Sequence, residues 1–231
     1  GELNSKPPDC LSPAMTGMNI KDHWCSDGGA YWWHNNIAWG LQIAALKMKR
    51  ENNLFEWGKI RLALENKSYL REGIDILKKY DPNSFVLEWL KNLNNARPFE
   101  EFKPISTWIK QPMLIIGGLW DPHLKGAFDL YKKSKEAGGS PEIIIGNATH
   151  LNWWEGSQES LLNFFDKHLK LEEDFNSKNL KDEKKIWNIS LNKWEDLDNK
   201  FNPEFIFGLK SDGTANVEVE DGSLTINSKG S

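Results

Sequence analysis

Two short apolar stretches decide the fold of this chain: residues 112–118 read PMLIIGG, and residues 142–146 read EIIIG. Each run is almost continuously hydrophobic and ends in glycine, which is typical of a strand that is buried on both faces of a sheet. Between them, Ala127, Leu130 and Tyr131 fall on one face of a predicted helix. Two strands joined by a crossover helix run parallel, so both end at the same edge of one sheet. The stretch therefore predicts part of an α/β domain.

A helical region is predicted before these strands. Apolar residues recur there at helical spacing in four short segments, of which the first carries Ile37, Leu41, Ala44 and Met48. Each segment is too short to form a stable helix alone, so its apolar face must pack against other elements. We therefore predict a loop-like segment at residues 1–34, a helical subdomain at residues 35–100 and the α/β part at residues 101–170.

The end of the chain has another character. Residues 171–185 are rich in Lys, Asp and Glu and predict a linker. Beyond the linker, turn signals such as Asp212-Gly213 and Asp221-Gly222 separate short apolar runs at residues 186–191, 204–209, 215–219 and 223–226. These runs predict the first strands of an antiparallel β-sandwich at residues 186–231. Four short strands leave open edges and little core, so we expect a sandwich that is truncated at residue 231.

Composition excludes several classes of partner. The 231 residues carry a net charge of −4, with 29 basic and 33 acidic side chains, which is no footprint for nucleic acid or an anionic membrane. No apolar run approaches the roughly 20 residues of a membrane span. Small substrates are therefore expected, while the oligomeric state stays open. Cys10 and Cys25 are either a disulfide or two free thiols.

Two side chains lie at strand ends, where α/β sheets commonly hold their ligand-binding and catalytic residues. Asp121 follows the first buried strand, and His150 follows the second, 29 residues later. Ligands of open α/β sheets bind at the carboxyl ends of the strands, so these side chains are expected to lie within reach of one another. Each residue alone has a structural explanation, a helix N-cap or a turn residue before Pro122 for Asp121 and a loop imidazole for His150. Together they predict a catalytic acid and histidine, because the acid would hold the ring while its other nitrogen accepts a proton.

Other histidines compete for these roles. His123 is nearer to Asp121 in sequence, but it lies in the acid loop and not after the last strand, so His150 is the preferred base. His23 and His34 lie near Cys25, yet their spacing matches no tetrahedral zinc set. We therefore predict no metal and no organic cofactor.

The nucleophile of such a pair is missing from the sequence. A strand-turn-helix elbow of the form G-x-S-x-G would have to precede Asp121, and no serine of the chain is framed in this way. Neither Cys10 nor Cys25 lies in such a context. Either the protein is not this kind of enzyme, or the chain begins downstream of its nucleophile.

The motifs around the pair resemble those of a known family. The tract GGLWDP around Asp121 and the tract IIIGNATHLNWW around His150 are similar to segments of the CocE/NonD acyl hydrolases, relatives of X-Pro dipeptidyl-peptidases, α-amino-acid ester hydrolases and glutaryl acylases. In that family a G-W-x-D-like stretch carries the acid, and a G-P-W-x-H-like stretch carries the histidine. This chain departs from the pattern at Leu119 and lacks the Pro and Trp before His150, but it keeps both functional residues.

The resemblance covers nearly the whole chain. Residues 11–15 look like the strand and loop after the nucleophile helix, and the helical region looks like the family's cap. Residues 102–105 (FKPI) look like the entry into the acid strand, and residues 192–194 (NKW) look like the opening of its jelly roll. The resemblance implies the C-terminal half of an α/β-hydrolase domain with a helical cap and the start of a jelly-roll β-sandwich. It also implies that the serine and an oxyanion-hole tyrosine lie upstream of Gly1, and that this fragment alone is inactive.

The chain contains 12 tryptophans, an unusual number that points to large cores, pockets or binding platforms. Trp32 and Trp33 before the helical region, and Trp120 and Trp153 beside the catalytic pair, are the predicted substrate-binding residues, although each is as well explained by packing. The leading hypothesis is a serine hydrolase of acyl-ester or amide bonds, including those of short peptides. The alternative is a carbohydrate- or partner-binding protein in which tryptophans form a platform and the α/β part is a scaffold.

Overall fold

The computed structural model describes residues 6–93, 107–170 and 182–197, together with three later strands. The predictions for residues 1–5, 94–106, 171–181, 204–208 and 215–216, and for the turn at Asp212-Gly213, lie outside the described residues. The chain divides into two compact units, Gly1–Glu195 and Asp196–Ser231. The first unit contains, in chain order, a π-helical turn (Ile20–Cys25), β1 (Ser26–Asp27), β2 (Ala30–Tyr31), α1 (Trp33–Arg50), α2 (Leu54–Glu65), α3 (Tyr69–Tyr80), α4 (Phe85–Asn92), β3 (Leu114–Gly118), α5 (Leu124–Glu136), β4 (Glu142–Gly146), α6 (Ser157–Leu169), β5 (Lys184–Asn188) and β6 (Lys193–Asp196).

The central sheet has the strand order β3-β4-β5-β6. Strands β3 and β4 pair in parallel over their whole length, from Leu114 opposite Glu142 to Gly118 opposite Gly146. Every residue of both strands is buried, which explains why the two runs are continuously apolar instead of alternating. Both strands therefore end at the same edge, as the crossover argument predicts.

An extended segment near the start of the chain lies along the other side of β3. Leu11 bridges Met113 and Ala14 bridges Ile116, both in parallel orientation. The Leu11 N–H donates to the carbonyl oxygen of Pro112 at 2.9 Å, and the Met15 N–H donates to that of Ile116 at 2.9 Å. This segment extends the parallel part of the sheet and brings the following π-helical turn to its carboxyl edge.

Helices cover both faces of the sheet. On one face, Phe164 of α6 shares a core with Leu114, Ile116 and Ile144. On the other face, α5 packs on β3 so closely that a Cβ at Gly117 would lie 3.3 Å from the Cβ of Ala127. Each fully buried isoleucine of these strands contributes about 2 kcal/mol by leaving water. This layered packing fixes the strand ends that carry Asp121 and His150.

The predicted helical region forms four helices, α1 to α4, around a core of their own. Its fully buried members come from all four helices and include Ile37 and Leu41 of α1, Ile60 of α2, Leu77 of α3 and Val86 of α4. Helices α1 and α3 approach closely because Gly73 lies against Ile37, where a Cβ would come within 2.3 Å of the Ile37 side chain. Among the described residues, no helix combines the length and the apolar character needed to cross a membrane.

Strands β5 and β6 differ from the expectation for residues 186–191. We expected this run to open a separate antiparallel sandwich, but β5 pairs in parallel with β4, with Ile145 opposite Ile186. The ring of Trp194 on β6 then lies edge-on to Trp154, with centroids 5.4 Å apart, within the core beneath β4. The first compact unit consequently extends to Glu195, beyond the expected linker at residues 171–185.

The second unit contains a small sheet of three strands, β7 (Leu209–Lys210), β8 (Val217–Glu220) and β9 (Ser223–Ile226), in the order β7-β9-β8. Strands β8 and β9 form an antiparallel pair in which Glu220 lies opposite Ser223, while β7 runs parallel to β9. The turn predicted at Asp221-Gly222 lies outside the described residues. The described strands thus form a mixed sheet, whereas the sequence suggested an antiparallel arrangement.

Both cysteines are free thiols. Cys25 is fully buried, and this burial raises the pKa of its thiol to about 11. The pKa of Cys10 is also raised, by burial first and by the nearby carboxylate of Asp9 second. Neither thiol therefore has the thiolate character of a reactive cysteine.

A buried ion pair joins α6 to the beginning of β4. Lys167 donates to Glu142 at 2.9 Å and to Asp182 at 2.6 Å, and the Glu142 side chain is only 7% exposed. Burial alone would lower the pKa of Lys167, but its hydrogen bonds to the two carboxylates outweigh burial and raise it. Lys167 in turn lowers the pKa of Asp182. The network therefore stabilises the fold from about pH 4 to about pH 10, and is lost as either limit is passed.

We expect Lys167→Met to lower the free energy of unfolding by about 3 kcal/mol, because it leaves the Glu142 carboxylate buried without its cation. Urea unfolding at neutral pH measures this loss. The matched control is Lys132→Met, which removes an ion pair with Glu136 between side chains that are 75% and 62% exposed; its expected cost is below about 0.5 kcal/mol. Equal losses in the two variants would contradict the structural role of Lys167.

Candidate active site

The loops after β3 and β4 are joined by backbone hydrogen bonds. The Leu119 N–H donates to the carbonyl oxygen of Gly146 at 2.9 Å, and the Trp120 N–H donates to that of Ala148 at 3.0 Å. Gly118 permits this approach, because a Cβ at this position would lie 2.5 Å from the backbone oxygen of Ala148. The residues that follow in each loop are therefore held side by side at the carboxyl edge of the sheet.

Asp121 and His150 meet at this edge. The Oδ2 atom of Asp121 lies 2.7 Å from Nδ1 of His150. The Asp121 side chain is fully buried, whereas the His150 side chain is 51% exposed. An ionised carboxylate only accepts hydrogen bonds, so the His150 proton lies on Nδ1 and the lone pair is left on Nε2. The geometry thus aligns an imidazole whose free nitrogen is available as a proton acceptor.

Asp121 is held from a second side by the chain itself. Its Oδ1 atom accepts a hydrogen bond of 2.7 Å from the backbone N–H of His123. A carboxylate in this position turns the loop back on itself before α5, which is the structural role that the sequence offers for Asp121. The same carboxylate therefore shapes its loop with one oxygen and orients His150 with the other.

His123 is fixed by a second, buried histidine. Its Nδ1 atom lies 2.8 Å from the backbone oxygen of His23, so this nitrogen carries a proton and Nε2 carries the lone pair. The His23 ring accepts at Nδ1 from the N–H groups of Met18 and Asn19, and its Nε2 lies 2.7 Å from Asp129 of α5. The π-helical turn thus holds His123 against the active-site edge.

The rings of His123 and His150 lie edge to face, with centroids 5.4 Å apart. On its other side His123 contacts Trp24, at a centroid distance of 5.0 Å. Asp121, His123 and His150 form the one group, within the part of the chain that the structure describes, whose ligand atoms could reach a common metal ion. His23, His34 and Cys25 lie near one another in sequence, but within that described part of the chain they do not form such a group.

An open cavity of about 850 Å³ leads from His150 to the helical region. Near His150 its wall is aromatic and includes Trp24, Trp39 and Trp120. Farther along α1 to α3 it becomes polar, with Arg61 paired to Glu65 and Tyr69 hydrogen-bonded to the ring of His34. The space is in the range of small-molecule pockets.

The predicted tryptophans have different positions. Trp120 lines the cavity, is 60% exposed and donates to the side-chain oxygen of Asn147 at 2.6 Å. Trp32 and Trp33 lie at the start of α1 and do not line the cavity; the Trp33 indole instead donates to the backbone oxygen of Leu70. Trp153 stacks on Trp154, packs on the sheet core and donates to the backbone oxygen of His150 at 3.3 Å.

Three cavity residues escaped the sequence argument. Trp24 lies in the segment that the sequence describes only as loop-like, where no periodicity indicates which way a ring points. Trp39 lies within the first predicted helical segment but is not one of the apolar positions that predict it, and it contacts Phe85 at a centroid distance of 4.7 Å. His123 was considered only as a rival of His150. Its position two residues after Asp121 was the available signal, but its contact with His23 depends on a turn 100 residues earlier in the chain.

The chain matches a known protein family. The family model of X-Pro dipeptidyl-peptidase (S15 family) matches residues 2–152, which include the helical region, both loops and the Asp121–His150 pair. No curated protein matches the chain.

Proposed function

The chain belongs to the X-Pro dipeptidyl-peptidase (S15) family, which is one of hydrolases, and from this premise we propose a Ser-His-Asp mechanism in which His150 is the base and Asp121 orients it. The observation that carries the proposal is the contact of 2.7 Å between a fully buried carboxylate and a half-exposed imidazole at the mouth of the cavity. The substrates are acyl esters or amides, including short peptides, of the size that such a cavity accepts.

In the proposed reaction, Nε2 of His150 accepts the proton of a serine hydroxyl as the oxygen attacks the substrate carbonyl. The Asp121 carboxylate stabilises the imidazolium that forms and keeps its Nδ1 proton directed inward. His150 then donates the proton to the leaving alcohol or amine, and the same steps in reverse order allow water to release the acyl group. The rings of Trp24 and Trp120, which line the cavity together with His150, offer apolar surface to the acyl group of the substrate.

We propose that the nucleophilic serine is contributed by a segment that precedes Gly1. The G-x-S-x-G frame is missing from the 231 residues, while the pair that would serve it is fully assembled. We also propose that the protein has CocE/NonD-like specificity and that α1 to α4 form a substrate-covering cap at residues 35–100. The second unit is proposed to be the beginning of a jelly roll.

The 231-residue chain alone is expected to show no His150-dependent hydrolysis of nitrophenyl esters or Xaa-Pro anilides. The extended protein, which includes the proposed segment before Gly1, is expected to hydrolyse one of these substrates. It is also expected to incorporate a fluorophosphonate probe at a single serine of that segment, which peptide mass spectrometry locates. Hydrolysis by the 231-residue chain that is abolished by His150→Ala would place the nucleophile within these residues and contradict the proposal.

No described feature favours the alternative of a tryptophan binding platform. Trp187 and Trp194, the last two tryptophans in the sequence, lie edge to face with centroids 5.3 Å apart. This geometry is that of a packed pair and not of coplanar rings presented to a sugar. Their strands β5 and β6 continue the central sheet.

A further inference from the structure

We infer that Asp121, His123 and His150 form a binding site for Zn²⁺ or a similar divalent transition-metal ion. One ligand atom from each residue lies within 4.8 Å of the other two. Around a tetrahedral zinc ion, neighbouring ligand atoms lie about 3.3 Å apart, so the group has to close by at most about 1.5 Å. Half the surface of the His150 side chain is exposed, which leaves it free to make this movement.

The hydrogen bond of the His123 imidazole favours metal binding. In metal sites, the ring nitrogen that does not bind the ion donates to a carboxylate or a backbone oxygen, and this fixes the ring. Nδ1 of His123 lies 2.8 Å from the backbone oxygen of His23. The ring proton is therefore on Nδ1, and the lone pair on Nε2 is available to bind an ion. Within the described residues, that Nε2 atom has no hydrogen-bond partner.

The chemistry of the ligands selects the class of ion. Two imidazole nitrogens and one carboxylate oxygen suit zinc and its neighbours in the transition series, whereas magnesium and calcium prefer sets of oxygen ligands. The buried carboxylate of Asp121 supplies negative charge beside the ion. The cavity of about 850 Å³ gives the ion an entry path and leaves room for water as a fourth ligand.

A bound ion is expected to inhibit hydrolysis, and this step rests on the proposed function. If the His150 ring turns so that Nε2 binds the ion beside Asp121, the ion occupies the lone pair that accepts the serine proton. If the ion replaces the proton between Nδ1 of His150 and Asp121, the ring proton moves to Nε2, and the same lone pair is lost. Either mode of binding removes the base.

The binding test uses the 231-residue chain and needs no turnover. Calorimetric titration with Zn²⁺, at slightly alkaline pH where imidazoles are neutral, is expected to show one ion per chain. His123→Gln and His150→Gln are each expected to weaken binding at least about tenfold. The matched control is His34→Gln, which removes an imidazole from the same cavity but outside the cluster, and its affinity is expected to be unchanged.

NMR of the imidazole nitrogens in the unmutated chain gives a second measurement, which does not depend on how well a variant folds. Saturating Zn²⁺ is expected to shift the signals of His123 and His150 and to leave those of buried His23 in place. Unchanged His123 signals, or equal affinity in His123→Gln and the parent chain, would overturn the metal site.

The inhibitory role is tested separately in the extended protein that hydrolyses the substrate. Zn²⁺ is expected to inhibit, a chelator to reverse the inhibition, and His123→Gln to raise the inhibitory concentration about tenfold. Saturation with zinc without inhibition would overturn the inhibitory role. Loss of turnover in His150→Ala together with no zinc binding would overturn the metal site and leave the proposed hydrolase mechanism standing.

Discussion

Replacing His150 with alanine in the extended protein is expected to lower kcat/KM for an ester substrate by at least about four orders of magnitude. The imidazole is the proposed proton acceptor for the serine. A water molecule in the open cavity could not take over this role, because Asp121 would not orient it as it orients the imidazole. Because the side chain is half exposed, its removal leaves little unfilled volume in the core. The melting temperature should therefore change little while turnover is lost, and both are measured on the same preparation.

The control for this variant is His168→Gln. His168 lies on α6, where burial lowers the pKa of its imidazole and Lys167 lowers it further, and it does not line the cavity. Turnover in this variant should remain within about twofold of the parent, because the substitution lies outside the cavity and contacts neither Asp121 nor His150. If His150→Ala kept a tenth of the parent kcat/KM, His150 could not be the base, and His123 would become the next candidate.

The edge of the sheet that brings Asp121 and His150 together could be predicted from sequence because its signals are local. An unbroken apolar run such as residues 142–146 has few alternatives to a buried strand, and the crossover rule then places two strand ends at one edge. The contact of Asp121 with His150 follows from that edge and from the residue types. Its physical basis is the backbone bonding of the two loops, which requires Gly118.

The membership of β5 and β6 could not be predicted, because it depends on long-range pairing. Residues 184–188 read KKIWN, and this polar pattern resembles an edge strand of a sandwich as much as an edge strand of an α/β sheet. Only the strand with which this segment pairs distinguishes the two kinds of sheet. Here β5 pairs with β4, and Trp194 finds its place against Trp154.

The walls of the cavity show the same limit for side chains. Ten of the 12 tryptophans lie at or before Trp154, so the sequence locates them near the helices and loops without identifying which rings face the substrate. Trp33 and Trp39 lie on the same helix, but only Trp39 lines the cavity. Which ring does so is decided by the packing of α1 on its neighbours, and a pattern of residue types does not contain that information.

The second large effect is expected for Asp121→Asn, which should lower kcat/KM about 10⁴-fold in the extended protein. An asparagine side chain retains an oxygen that can accept the His123 N–H, which now lies 2.7 Å from Oδ1 of Asp121, so the loop should keep its shape. Its amide group, however, donates a hydrogen bond toward Nδ1 of His150. The ring proton is then held on Nε2, and the nitrogen that faces the substrate can no longer accept a proton.

NMR of the His150 ring nitrogens tests this explanation apart from the rate. The parent protein should carry the neutral-state proton on Nδ1, and Asp121→Asn should move it to Nε2. The matched control is Asp129→Asn, which changes another carboxylate at 2.7 Å from an imidazole, that of His23. The Asp129 side chain is 43% exposed, and a partly exposed pair is worth about 1 kcal/mol or less, so turnover should fall less than about fivefold. A loss of turnover in Asp121→Asn without the change of tautomer would show that Asp121 acts in another way than by orienting His150.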